Sequence, residues 1–190
     1  MCSYDHYNSM ADKKAVLRKE ILDKIRNLST RKEESFLIIE QIKALKIYQD
    51  ASLILAFHPL ATEPDITPLL SDERIALPYI ENDTMFFSKS KNLIKTKLGF
   101  LEPDHIPIKI EKSVMLTPLV AFDEKLYRLG RGGGFYDRFI SKHREYLTVV
   151  GVAFSQSYVG STYPEEFDQR LDYVICPTLT SVENADSEAF

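Results

Sequence analysis

The chain has 190 residues, 44% of them hydrophobic, which is enough to bury one sizeable core and too few for two independently folded domains. Its net charge of -4, with acidic and basic residues intermixed, leaves no broad basic surface for duplex nucleic acid, so nucleic acid is excluded as a main partner. The longest apolar runs, 51–57 and 149–154, are too short to cross a bilayer and no charged-then-apolar leader opens the chain, so a soluble cytoplasmic protein is expected.

Residues 1–11 are polar and aromatic without period and read as a loose tail. Cys2 in that tail and Cys176 make neither a disulfide framework nor a metal cluster of recognisable spacing, so reduced thiols are expected. A helix is predicted from Asp12, because Leu17, Ile21, Ile25 and Leu28 recur at helical spacing. Lys14 and Arg18, four apart, share another strip of that helix, where both cations can point at one ligand. Thr30 followed by Glu33 is a capping-box pattern, and Phe36, Ile39, Ile42 and Leu45 predict a second amphipathic helix. The apolar run 51–57 has strand length and ends in a loop holding His58, Pro59, Glu63, Pro64 and Asp65, with a short helix predicted through Leu70. Strands are predicted at 75–79 and 85–88 around the turn formers Glu81, Asn82 and Asp83. Pro103 and Pro107 argue for an extended surface segment over 89–112. A strand at 114–119 precedes a glycine-rich loop and a helix with Tyr136, Phe139, Ile140 and His143 on one side. Strands at 148–154 and 173–176 complete the pattern. The alternation predicts an α/β fold, one layered domain over 12–180 with a largely parallel central sheet flanked by helices, and a C-terminal tail at 181–190.

The loop from Gly130 through Arg131, Gly132 and Gly133 to Gly134 carries the most chemistry. A glycine turn directly before a helix can gather backbone N–H groups around an anion, and the helix N-terminus adds partial positive charge. Arg128 and Arg131 can reach phosphate oxygens that the amides leave uncovered. The same glycines also fit a plain flexible turn. No Lys-Ser or Lys-Thr follows them, and the dinucleotide spacing fails at Phe135, so neither a P-loop nor a Rossmann assignment holds.

The run 118–123 followed by 128–138 closely resembles the signature of 5-formyltetrahydrofolate cyclo-ligases, also called methenyltetrahydrofolate synthetases. The resemblance extends to Lys14 and Arg18, to Glu63-Pro-Asp, to Glu102-Pro103, to the run 151–156 and to Arg170-Leu-Asp172, covering residues 12–176 in the family's order. It implies the NagB/RpiA/CoA-transferase-like fold. It further implies that Lys14, Arg18 and the segment Arg128, Leu129, Gly130, Arg131, Gly132, Gly133, Gly134, Phe135 and Tyr136 hold ATP, with Arg131 a catalytic candidate. His58, Glu63 and Tyr136 would contact the reduced folate, and Asp137 and Asp172 would be the Mg²⁺ ligands. Two positions depart from the family pattern: Leu126 stands where a glycine is usual, and Phe135 where a second tyrosine is usual.

The implied activity is closure of 5-formyltetrahydrofolate to the 5,10-methenyl form with ATP and Mg²⁺, by a monomer in the cytoplasm. A non-catalytic nucleotide or folate binder of the same fold is the alternative. A sugar-phosphate isomerase on a related fold is another, and it would need neither ATP nor metal.

Overall fold

The computed structural model describes residues 9–96 and 101–177. Cys2 and the expected tail at 181–190 lie outside the described residues. Helix α1 (Met10–Arg26) starts two residues before the expected Asp12, because Ser9 caps it: the Asp12 N–H donates to Ser9 Oγ at 3.1 Å. Ile21 and Ile25 are buried as the spacing predicts, packed on Val120, Ala121 and Leu129.

Helix α2 (Arg31–Ala44) corrects two expectations. Thr30 makes no capping bond; its hydroxyl donates instead to Glu34 Oε1 at 2.8 Å. Glu34 is buried and also accepts from the Ser155 N–H at 2.8 Å and the Ser155 hydroxyl at 2.7 Å, so it ties α2 to the turn at 155–157. Phe36 is 64% exposed, and the buried stripe runs instead through Ile38, Ile39 and Ile42. Those positions share one face at i, i+3 and i+4 spacing, which leaves Phe36 outside the stripe. A short α3 (Lys46–Asp50) follows.

The strands are β1 (Ile54–Leu55), β2 (Ile75–Glu81), β3 (Thr84–Ser88), β4 (Leu93–Lys95), β5 (Leu101–Pro103), β6 (Ser113–Pro118), β7 (Ala121–Phe122), β8 (Arg128–Leu129), β9 (Leu147–Val152) and β10 (Tyr173–Ile175), with α4 (Phe135–His143) between β8 and β9. Six of them form the central sheet in the order β10-β9-β6-β1-β2-β3, parallel throughout except for β3 on its edge. The tight β2–β3 turn puts Asn82 and Asp83 at φ 48° and 58°, a left-handed pair that these two residue types tolerate. Within the segment expected to be merely extended, β4 and β5 pair as an antiparallel hairpin.

Alternation along the strands separates two cores. Ile54, Val114, Leu116 and Val150 face α2 and α3, while Leu55, Met115 and Val149 face Phe139 and Ile140 of α4. The result is the expected α/β layered fold with helices on both faces. Strand order reverses between β1 and β6, so their following loops diverge, and a crevice opens at the carboxyl ends of the parallel strands. Ligands of open α/β sheets bind at this point.

Candidate active site

At that switch point lies a cleft of about 1330 Å³. α1 contributes Lys14 and Arg18, the loop after β1 contributes His58 and Glu63, and β8 with the glycine turn and the start of α4 contributes every residue from Arg128 through Asp137. The β2–β3 hairpin and the segment 165–169 also line it. Residues scattered from 14 to 137 in sequence therefore meet in one crevice.

The glycine turn is shaped by backbone geometry that glycine alone takes without strain. Gly132 has φ +103°, and Gly134 caps α4 at φ +66° with no side chain to satisfy the first-turn N–H groups. Those N–H groups are free for an anion. Arg18 fastens the turn to α1, its Nε–H donating to Gly130 O at 2.7 Å. The departure at Leu126 falls on a left-handed position, φ 62°, which explains why glycine suits it.

Arg128, Arg131 and Lys14 each have a carboxylate partner. Arg128, with 3% of its side chain exposed, donates from Nη2 to Asp137 Oδ2 at 2.8 Å, and its buried Nε has no protein partner. Arg131 spans the crevice, donating from Nε to Glu63 Oε1 at 3.0 Å and from Nη2 to Thr62 Oγ1 at 2.6 Å. Glu63 also accepts the Leu60 N–H at 2.9 Å, so the loop after β1 is shaped around this carboxylate. Burial first, and Glu63 next, push the Tyr136 phenol far above its ordinary value, with Arg128 pulling the other way. The hydroxyl stays protonated and can donate a hydrogen bond throughout the physiological range.

Lys14 reveals residues that the sequence reading missed. Its ammonium bonds Glu165 Oε2 at 2.7 Å and Asp168 Oδ2 at 2.6 Å. Burial alone would lower its pKa, but the hydrogen bonds and charges of Asp168 and Glu165 outweigh that and hold it above the ordinary lysine value. No spacing rule connects residue 14 to 165 and 168; the only signal is the acidic character of the segment Glu165-Glu166-Phe167-Asp168.

Asp172, the other residue expected to hold Mg²⁺, lies outside the cleft lining that contains Asp137. Both Asp172 carboxylate oxygens are bound by Arg144, just beyond the C-terminal end of α4, and Oδ2 also accepts the Val149 N–H at 2.7 Å. Asp137 sits in the first turn of that helix, whose nine residues span about 13 Å. Asp172 is not part of the cleft lining. Its carboxylate serves as a buttress between α4 and β9.

Among the described residues no three His, Cys, Asp or Glu side chains converge as a metal cage. Mg²⁺ commonly takes one or two carboxylates and completes its shell with phosphate oxygens and water. Asp137 accepts two hydrogen bonds, from Arg128 and from the Gln169 N–H, leaving lone pairs toward the cleft. The donor set fits an ion shared with a bound nucleotide.

Sheet order, switch-point cleft and glycine turn together define an α/β protein with its candidate site at the carboxyl ends of the parallel strands. The family model of the 5-formyltetrahydrofolate cyclo-ligase family matches residues 10–177. The chain belongs to that family and is an enzyme of the cyclo-ligase type. A 5-formyltetrahydrofolate cyclo-ligase of Escherichia coli (strain K12) is 32% identical over 145 residues, 67% of this chain and 79% of that one. The solved structure of Aquifex aeolicus 5,10-methenyltetrahydrofolate synthetase is 29% identical with a TM-score of 0.72, covering 86% of this chain and 89% of its own. A 5,10-methenyltetrahydrofolate synthetase from Mycoplasma pneumoniae, 24% identical with a TM-score of 0.64 over 85% of this chain and 97% of its own, shares the fold.

Proposed function

We propose that this enzyme converts 5-formyltetrahydrofolate to 5,10-methenyltetrahydrofolate with ATP and Mg²⁺, releasing ADP and phosphate. The observation that carries the proposal is the Arg131 bridge. It joins the anion-binding glycine turn to the loop holding Glu63 and His58, so a phosphate donor and an organic acceptor would lie side by side in one cleft.

The formyl group is an amide, with a reluctant carbon and a poor leaving oxygen, and phosphorylation cures both defects. The formyl oxygen attacks the γ-phosphorus as the bond to ADP breaks. N10 then adds to the formyl carbon and gives up its proton, the carbon–oxygen bond breaks, and phosphate leaves as the ring closes. The chain's part is to position and to neutralise. The α4 N-terminus, Arg18 and Arg128 face charge that grows on the transferring group, and Arg131 holds the two loops in register. Tyr136 offers a permanent donor beside Glu63 and Arg128. Asp137 would hold Mg²⁺, which would supply positive charge to offset that of the phosphates. Because one chain lines the whole cleft, a monomer suffices, and a cytoplasmic setting supplies both substrates. Among the described residues no helix is long and apolar enough to cross a membrane.

Incubating the pure protein with 5-formyltetrahydrofolate and following the near-ultraviolet absorbance of the methenyl product tests this reading. Product is expected only when ATP and Mg²⁺ are both supplied, and ATP-independent product would overturn the mechanism. In the same assay Arg18→Ala should raise KM for ATP about tenfold, the scale of one charge-assisted hydrogen bond, with KM for the folate unchanged. An unaltered KM for ATP would remove Arg18 from the nucleotide site.

A further inference from the structure

Lys14 is 7% exposed, and its ammonium has two anionic partners within the chain. These two carboxylates are not equivalent. Asp168 belongs to its own turn: its Oδ2 accepts the Glu165 N–H at 2.8 Å, and its N–H donates to Glu165 O at 3.0 Å. The Glu165 carboxylate, in contrast, bonds only Lys14 among the described residues, and its side chain is 36% exposed against 14% for Asp168. Asp168 also acts electrostatically on Arg18, one turn along α1. Two cations therefore face two carboxylates, and the chain's own side chains balance the charge in this arm of the cleft.

We propose that Glu165 is an internal counter-anion that occupies the place of a phosphate on Lys14, and that a nucleotide binds by displacing it while Asp168 stays. Glu165 thereby sets the affinity for nucleotide. The inference rests on the reading of α1 as the nucleotide side of the cleft. The buried ammonium keeps Asp168 as its fixed anionic partner, and Glu165 and a phosphate compete for its second position. Its carboxylate, already part-exposed, regains hydration on leaving, whereas a phosphate oxygen placed beside it on the same ammonium would be repelled. The backbone at Glu165 remains pinned by Asp168, so the side chain can swing without opening the loop.

Isothermal titration with ADP, and with ATP plus Mg²⁺, on the full chain tests the exchange. Glu165→Gln should tighten nucleotide binding about fivefold, the scale of a part-exposed ion pair, and raise kcat/KM for ATP without moving KM for the folate. Glu124→Gln, which removes an exposed charge of the same sign away from the cleft, should change little. In a Lys14→Met background Glu165→Gln should bring no gain. Unchanged or weaker binding by Glu165→Gln overturns the proposal, as does an equal gain in the Lys14→Met background, which would be a general charge effect. If the wild type binds nucleotide but forms no methenyl product, the proposed reaction fails while the binding comparison still decides the role of Glu165. If no variant binds nucleotide, both fall.

Discussion

Asp137→Asn should lower kcat by a factor on the order of a hundred or more while the protein stays folded, because it removes the carboxylate proposed to hold Mg²⁺ beside the transferring phosphoryl group. Two losses coincide. The Arg128 guanidinium, almost wholly buried, loses its compensating charge, and the cleft loses the carboxylate best placed for Mg²⁺. Folding survives because the amide oxygen can still accept from Arg128 or from the Gln169 N–H; the stability cost is about 1–3 kcal/mol, the range for a weakened buried polar contact. A urea melt measures that cost and a saturating assay measures kcat. Asp172→Asn is the informative contrast. Its carboxylate holds Arg144 and the Val149 N–H away from the cleft, so it should lower stability and leave kcat within about threefold. The double variant should then be additive in kcat, since the two residues share no partner. A steep loss of kcat with Asp172→Asn, strongly non-additive with Asp137→Asn, would restore the shared ion.

The layers of the fold were legible because they are written in periodicity. Ile21 and Ile25 at helical spacing, and the apolar runs of strand length, predict the elements that pack on the two faces of the sheet. Errors fall where a side chain has a partner far away in sequence. Thr30 and Glu33 satisfy the capping pattern locally, but Glu34 is claimed by Ser155, and the Thr30 hydroxyl turns to Glu34 instead of to the helix N-terminus. The same reason hid Glu165 and Asp168, whose roles exist only because folding brings them to Lys14. Asp172 shows the converse: a motif match gives a position in a pattern, while the end of α4 to which its side chain turns is set by Arg144. The glycine turn was readable as a turn of special backbone geometry because φ +103° at Gly132 and φ +66° at Gly134 are demands on residue type, and such demands survive in sequence.

Glu63→Ala should raise KM for both substrates by about tenfold or more, a wider effect than its position in the loop after β1 suggests from sequence. The carboxylate is 7% exposed and serves both sides of the cleft, Oε1 taking Arg131 from the glycine turn and Oε2 taking the Leu60 N–H. Truncation leaves that N–H without its acceptor and frees Arg131, so the folate loop loses its shape and the nucleotide loop loses its brace in one change. The loss of one charge-assisted bond on the nucleotide side is of order 1.5–3 kcal/mol, which is about ten- to a hundredfold in affinity. Glu63→Gln separates the two functions, since its amide oxygen can keep the Leu60 N–H or Arg131 but with no charge for the guanidinium. It should retain more folate affinity than Glu63→Ala and recover little on the nucleotide side. Arg131→Ala should reproduce the nucleotide defect, and adding it to Glu63→Ala should bring little further loss in KM for ATP, because the brace is already gone. Independent, additive effects of the two substitutions on KM for ATP would mean that the bridge does not couple the sites and that Glu63 belongs to the folate alone.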